Sequence, residues 1–436
     1  MRTNYTTFKR TTRDDSARHD SSRHNSIRSL TSWFTAARHF TTGVRRALRL
    51  LVAAFVPLII SITGCGLSAP HDTFKLSPVH TAHDTQPVNR DDILLYPKPG
   101  TDDAWTSQII GSTLAIEELI LSWNADVPTG AMVTFEVRAR NLPESLWTPW
   151  LALGSVTPPP PPPDPTAAAP QTEHNVSTQP TPAKVTAPGG YEVDVDILRC
   201  KTWFREAQIR CVASTSQTLA EPVRITRLDL TRSLAFSKAA VEFRKNASRT
   251  TMPWDNWNLP PSHQQSVTFK SQKTPRPELS GRLCSPTCVA MAIGWGVPDD
   301  PASVADIAQA AYDQKYDIYG NWPRNVQAAW EHGLPGYIRR FGSLKDVYAS
   351  LAAGNIIVAS IKVSKGQLAD APYDSTDGHL ILLRGYTERG DFLVSDPAAG
   401  DAQSGERTYK YEDMTQVWLV NGKGTAYVFW KPTVKP

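Results

Sequence analysis

Six consecutive prolines, Pro158 to Pro163, open a stretch running to residue 190 that holds 11 of the 35 prolines in the chain. Proline has a fixed φ and no N–H, so this run can be neither a helix interior nor a central strand and favours an extended polyproline II spacer. The rest of 157–190 is Ala, Thr, Gln and more Pro, too poor in apolar side chains to offset the entropy of ordering. Any domain that contains it must therefore be assembled from the segments on either side. Those segments read as strands: Glu117 to Trp123, Met132 to Arg138 and Trp147 to Leu153 before it, and Tyr191 to Cys200, Ala207 to Ser214 and Val223 to Thr231 after it. Short strands with no helix between them predict an antiparallel β-sandwich over 91–235, with a disordered Pro-rich insertion at 157–190. Cys200 and Cys211 flank Lys201 to Arg210, either as a staple between neighbouring strands or as two buried thiols.

The N-terminal end has a different character. Eleven Arg or Lys against three Asp lie within the first 49 residues, whereas the whole chain carries only +4, so the remainder is net acidic and has no general attraction for nucleic acid. Arg45, Arg46 and Arg49 precede an apolar run from Leu50 to Ile62, of signal-peptide length and short of a membrane span. Ile62-Thr63-Gly64-Cys65 follows and resembles a bacterial lipobox, which implies removal of 1–64 and lipidation of Cys65. Acyl chains there would hold the protein at the extracytoplasmic face of the cell membrane, with 65–90 as a polar tether. A cleaved signal with an incidental Cys65 is the alternative. The long polar segment before Val44 also raises the idea that translation starts at Val44.

Beyond a linker at 236–262, residues 263–436 form a second domain. Asp300-Pro301 opens a helix with Val304, Ile307, Ala308 and Ala311 on one face. Asn321-Trp322-Pro323 leads a second that stops at Gly333, and Ser343 caps a third carrying Leu344, Val347, Tyr348 and Leu351. Strands follow at Asn355 to Val363, His379 to Tyr386, Asp391 to Ser395, Thr408 to Tyr411 and Thr425 to Trp430, with a short helix near Glu412 to Val417. Helices first and a mainly antiparallel sheet second predict an α+β domain.

Chemistry concentrates in Gly281 to Ala292. Ser285 reads as an N-cap and Pro286 as the first helical residue, which puts Cys284 just ahead of a helix N-terminus, where the macrodipole favours the nucleophilic thiolate. A buried structural Cys is the alternative. A thiolate hydrolase also needs an imidazole and a group to orient it. His379 begins the apolar strand Gly378 to Leu383, a costly place for a polar ring without a partner, whereas His332 sits at a helix stop and His263 in a Pro- and Gln-rich segment. Asp396 closes the strand Phe392 to Ser395 and suits a carboxylate facing that His. Cys288, one helical turn after Cys284, is either a packed thiol or a redox partner.

This Cys, His, Asp order resembles the papain-like superfamily, and more closely the bacterial C39-like cysteine peptidases, over about 265–436. The resemblance rests on Ser271-Gln272, Cys284-Ser285-Pro286-Thr287, Tyr319 to Pro323, Gly378-His379-Leu380 and Ser395 to Ala399. It implies Cys284 as nucleophile, His379 as general base and acid, Asp396 as orienting residue and Gln272 as oxyanion donor, with a peptide or cell-wall peptide as substrate and neither cofactor nor metal. The expected protein is thus multidomain, an N-terminal antiparallel β-sandwich followed by an α+β papain-like cysteine peptidase domain. The rival reading is a catalytically silent surface binding lipoprotein whose sandwich contacts glycans through Trp123, Trp147 and Trp150, although core packing is the commoner use of a strand Trp.

Overall fold

The computed structural model describes residues 83–158, 184–234, 258–274, 276–300 and 302–433. Cys65 with the signal and most of the tether, most of the Pro-rich insertion and most of the linker lie outside these residues.

The first ten strands are β1 (His83–Pro87), β2 (Ile93–Leu95), β3 (Asp103–Thr106), β4 (Ile110–Asp126), β5 (Ala131–Arg140), β6 (Leu151–Val156), β7 (Val185–Ala187), β8 (Tyr191–Asp194), β9 (Ile197–Thr215) and β10 (Val223–Leu234). They form one antiparallel sheet with the central order β1-β10-β4-β9-β5-β6. The sheet folds over because β9 belongs to both layers: residues 197–200 pair with β8, whereas 206–215 pair with β5 and 210–213 also with β3. Trp123 on β4 stacks on Phe135 on β5 with ring centroids 4.2 Å apart, so the two layers face each other across a shared core. The result is the antiparallel β-sandwich.

Several local expectations are corrected. Within the expected tether at 65–90, β1 pairs along β10, secured by an Arg232–Asp84 ion pair at 2.5 Å and a Thr85–Thr231 hydroxyl contact; its polar sequence has no hydrophobic alternation to announce it. The far end of the insertion is ordered as β7, which turns through Gly189 and Gly190 at positive φ into β8. Tyr191 to Cys200 is a hairpin rather than one strand, reversing at Val195-Asp196, both at positive φ. Ala207 to Ser214 is the second half of β9. Cys200 and Cys211 therefore lie on the same strand, eleven residues apart, and are free buried thiols rather than a staple.

Trp123 is a core residue. Trp147 and Trp150 lie across the outer face of β5 and β9, with Arg140 and Arg138 against Trp147 and Arg138 and Arg210 against Trp150. Guanidinium groups thus occupy ring faces of both.

The second domain holds β11 (His263–Gln264), α1 (Pro277–Ser280), α2 (Cys284–Gly296), α3 (Val304–Ala311), α4 (Trp322–Glu331), β12 (Gly336–Arg340), α5 (Leu344–Ala352), β13 (Ile356–Val363), β14 (Thr376–Tyr386), β15 (Phe392–Ser395), α6 (Ala402–Gly405), β16 (Glu406–Tyr409), α7 (Tyr411–Met414), a π-helical turn (Thr415–Val420) and β17 (Thr425–Phe429). Its sheet is antiparallel in the order β12-β17-β13-β14-β15-β16, with β11 added to β14. Both faces are covered. Ile356, Val358, Leu380 and Leu382 pack on the side of α2, α3 and α4, while Ile357, Ala359, Ile361, Ile381 and Leu383 pack on the side of α5 and the π-helical turn. Burial on both faces explains why these strands read as continuous apolar runs. Ser303 rather than Asp300 caps α3, through a reciprocal bond pair with Asp306; Asn321 and Ser343 cap α4 and α5.

The sandwich is built into the second domain. On β4, Leu119, Leu121, Trp123 and Ala125 point into the sandwich core, so the alternate residues Glu118, Ile120, Ser122 and Asn124 face outward, yet all four are buried. Ile120 and Ile197 join the core of the second domain. The edge strand β12 has its free backbone groups satisfied by sandwich side chains: Ile338 N–H donates to Ser122 Oγ at 3.1 Å, Thr231 Oγ1 donates to Ile338 O at 2.7 Å and Gly336 N–H donates to Asn124 Oδ1 at 3.4 Å. Gln327 on α4 exchanges two amide hydrogen bonds with the backbone of Ala125.

Candidate active site

Helix α2 begins two residues earlier than its sequence suggests. Leu283 takes the N-cap position without a side-chain cap, and Cys284 is the first helical residue. Ser285 does not cap; its Oγ hydrogen-bonds Tyr427 Oη at 2.8 Å, tying the first turn of α2 to β17. The uncapped helix end leaves backbone donors near the sulfur, and the His379 ring with the backbone of Leu380 and Ser285 acts on it. Burial by itself would push the Cys284 thiol up, but the His379 bond and charge with these backbone donors outweigh it and hold the thiol below its ordinary value.

His379 lies near the start of β14 and is buried. Its Nε2 is 2.8 Å from Asp396 Oδ1, which leaves Nδ1 for the sulfur of Cys284. Desolvation would lower the imidazole, yet Asp396 on one side and the Cys284 sulfur on the other raise it to about 10. Asp396 follows β15 and is wholly buried, which disfavours its charge; the His379 bond and charge, the Ala398 N–H and the Tyr409 hydroxyl hold it below the ordinary carboxylate range. The structure thus brings Cys284, His379 and Asp396 together, with the His379 ring hydrogen-bonded to Asp396 and the Cys284 sulfur on its other side.

Gln272 is held beside this group by its backbone. Its N–H donates to Pro397 O at 2.9 Å, and Ser271 Oγ donates to Ala399 O at 2.5 Å, so the 271–272 segment hangs on the loop that follows Asp396. Gln272 Oε1 is buried with no hydrogen-bond partner among the described residues. Cys288 is fully buried, and its thiol donates to Leu380 O at 3.3 Å; burial pushes it well above the ordinary thiol value, so it stays protonated. His332 pairs with Asp300 and His263 lies in β11, both outside this group.

Two residues at the site went unread in the sequence. Tyr373 and Tyr409 each donate a hydroxyl hydrogen bond to Asp396 Oδ2 at 2.9 Å, and the Tyr373 ring stands edge-on to His379 with centroids 5.0 Å apart. Tyr409 is an inward residue of a short strand and Tyr373 belongs to a loop between β13 and β14, so neither position marks itself as part of a polar network. Among the described residues, no cluster of His, Cys, Asp and Glu has the makings of a metal centre.

Two family comparisons match separate parts of the chain: residues 96–229 fit the family described as Peptidase C39 N-terminal domain, and residues 264–426 fit the Peptidase_C39 like family. No curated protein matches the chain. Among solved structures the chain is similar to a protein named as a C39-like peptidase from Bacillus anthracis, at 14% identity over 40% of this chain and 100% of that one with a TM-score of 0.30. It is also similar to a double-glycine-motif protease from an AMS/PCAT transporter in complex with the leader peptide, at 13% identity over 39% of this chain and 95% of that one with a TM-score of 0.26. The chain accordingly carries a C39-like peptidase domain preceded by a C39 N-terminal domain.

Proposed function

We propose that the protein is an exported, lipid-anchored cysteine peptidase or amidohydrolase that cleaves amide bonds in peptides or cell-wall peptides. The observation that carries this reading is His379, whose Nε2 is bonded to Asp396 Oδ1 at 2.8 Å while Cys284, at the start of helix α2, is its other charged neighbour. In the proposed reaction the Cys284 thiolate attacks the scissile carbonyl carbon, and the resulting oxyanion is met by the Gln272 side chain and the backbone N–H groups of the uncapped helix end. The tetrahedral species collapses to a thioester as the His379 imidazolium gives its proton to the departing amine. Water then attacks the thioester, losing a proton to the neutral imidazole and displacing the thiolate. Asp396 keeps the ring oriented and supports its charge throughout. The lipobox-like segment ending in Cys65 supports attachment at the extracytoplasmic membrane face.

The test is to incubate the mature protein with a peptide library and with purified peptidoglycan, scoring bond cleavage by mass spectrometry beside a folded Cys284→Ala variant. Cleavage that depends on Cys284 is expected. Equal cleavage by the alanine variant overturns the proposal.

A further inference from the structure

We propose that Tyr373 and Tyr409 are positioning residues, which fix the far oxygen of Asp396 so that its near oxygen stays ionised and aimed at His379. This inference rests on the reading of Cys284, His379 and Asp396 as the reacting line.

The carboxylate of Asp396 has four donors arranged in two pairs. Oδ1 receives His379 Nε2 at 2.8 Å and the Ala398 N–H at 3.1 Å; Oδ2 receives the Tyr373 and Tyr409 hydroxyls, both at 2.9 Å. A carboxylate with all its contacts on one oxygen can rotate about Cβ–Cγ, but two phenols on the second oxygen lock the plane. They also contribute charge-assisted hydrogen bonds where no solvent reaches the group. The phenols themselves remain protonated, since burial and the adjacent carboxylate both push them up.

The two tyrosines arrive from different elements. Tyr409 is buried in β16, which pairs with β15 just ahead of Asp396. Tyr373 is half-buried in the loop between β13 and β14, and its ring edge also packs against the imidazole. That loop is fastened by the buried Leu368 and by Arg407, which donates to Asp370 O. Seating of the loop is therefore coupled, through one phenol, to the carboxylate of the reacting line.

The titratable groups facing Asp396 are His379 from β14, Cys288 from α2, Tyr409 from β16 and Tyr373 from the loop, with Cys284 acting on His379 and Arg407 on Tyr409. When a phenol is removed, Asp396 takes up a proton at higher pH or turns away from the ring. Either change weakens the imidazolium beside the sulfur, so the Cys284 thiolate is lost at higher pH.

The experiment uses the full chain with Tyr373→Phe, Tyr409→Phe and the double variant. It measures the rate of Cys284 alkylation by iodoacetamide against pH, identifying the modified peptide by mass spectrometry, together with thermal unfolding. The acid limb of the Cys284 profile is expected to move up by about one pH unit in each single variant and further in the double, the size expected for one hydrogen bond to a charged group. A profile superposing on wild type, whether or not the variant unfolds at lower temperature, overturns the proposal and leaves the peptidase reading standing. If wild-type Cys284 itself alkylates like an ordinary thiol, the peptidase reading falls and takes this inference with it. Should Tyr409→Phe fail to fold, the half-exposed Tyr373→Phe decides alone.

Discussion

Arg340 and Glu118 form a buried ion pair, Nη2 to Oε1 at 2.8 Å, that joins the edge strand of the peptidase domain to the outer face of the sandwich. Lys423 reaches the other oxygen of Glu118 at 2.9 Å, and Arg340 also donates to Ser233 Oγ. Burial alone would raise the Glu118 carboxyl, but these two cations hold it far below its usual range. The C39 N-terminal domain is thus more than a spacer: it supplies the counter-charge for a buried guanidinium of its neighbour. Glu118→Gln should lower unfolding stability by about 3–5 kcal/mol, because Arg340 would be left buried without its partner. Urea unfolding of the full chain checks this, and an unchanged midpoint would show that the pair contributes nothing net.

Activity should depend on pH through His379 and Cys284. The reacting pair needs a protonated imidazole and an ionised thiol, so kcat/KM should fall as pH rises through about 10, where His379 loses its proton, and fall again on the acid side as the lowered Cys284 thiolate is protonated. Asp396→Asn removes the charge that holds the imidazolium, so the basic limb should move to lower pH. A pH–rate profile on any cleaved peptide, run for both proteins, is the measurement.

The members of the line should fail unequally when removed. Cys284→Ala should abolish cleavage with the fold intact, and His379→Ala should lower kcat by about 10²–10⁴-fold. Gln272→Ala should lower kcat by about 10²–10³-fold if its side chain meets the oxyanion. Cys288→Ser should retain most activity, since its thiol only donates to Leu380 O within the core. Steady-state kinetics with circular dichroism of each variant separates these outcomes.

Asp196 makes stability itself pH-dependent. Its carboxyl sits in the β8–β9 turn, accepting from Asn321 Nδ2 at 2.8 Å, while the same amide group donates to Asp313 Oδ2 at 2.7 Å. Burial first and the neighbouring Asp313 second push Asp196 up to about 6, against partial opposition from the Asn321 bond and from Arg324 and Lys315. The folded chain therefore binds this proton more tightly than the unfolded chain. Its stabilising contribution is complete below pH about 4 and lost as pH rises through about 6, on the order of 3 kcal/mol in all. Asp196→Asn should flatten that part of the profile and be more stable than wild type at pH 7. Parallel unfolding curves at pH 4.5 and 7 test the sign.

On the proposed lipid anchoring, Cys65→Ala should block lipid attachment and leave unprocessed precursor or shed protein. Membrane partitioning of a processed Cys65→Ala form would overturn the lipobox reading.

Much of the site was legible because its signals are local. A cysteine followed by Ser-Pro opens a helix, and a histidine at the head of an apolar strand needs a polar partner; both are properties of short segments. The helices α3, α4 and α5 and most peptidase-domain strands were likewise visible from apolar spacing and caps. What escaped was polar structure whose reason lies across the chain. Strand β12 reads Gly-Tyr-Ile-Arg-Arg, and nothing local says that Arg340 will be buried until Glu118 is placed beside it. The β8–β9 turn lacks the Asn-Gly or Asp-Gly signature of a two-residue reversal, and its Asp196 is instead bound by Asn321 of the other domain.

The sequence by itself determined an all-β region followed by an α+β region, the strand and helix periods within them, and the identity of Cys284, His379 and Asp396 as the candidate reacting groups. Periodicity and residue chemistry suffice for that, because burial of apolar faces and the reactivity of a thiol or imidazole are set within a few residues. Only the tertiary structure decided that the two domains share a buried polar interface and that two tyrosines close the far side of Asp396. Buried polar groups are stabilised by partners that are distant in sequence, and such pairings exist only once the chain has folded.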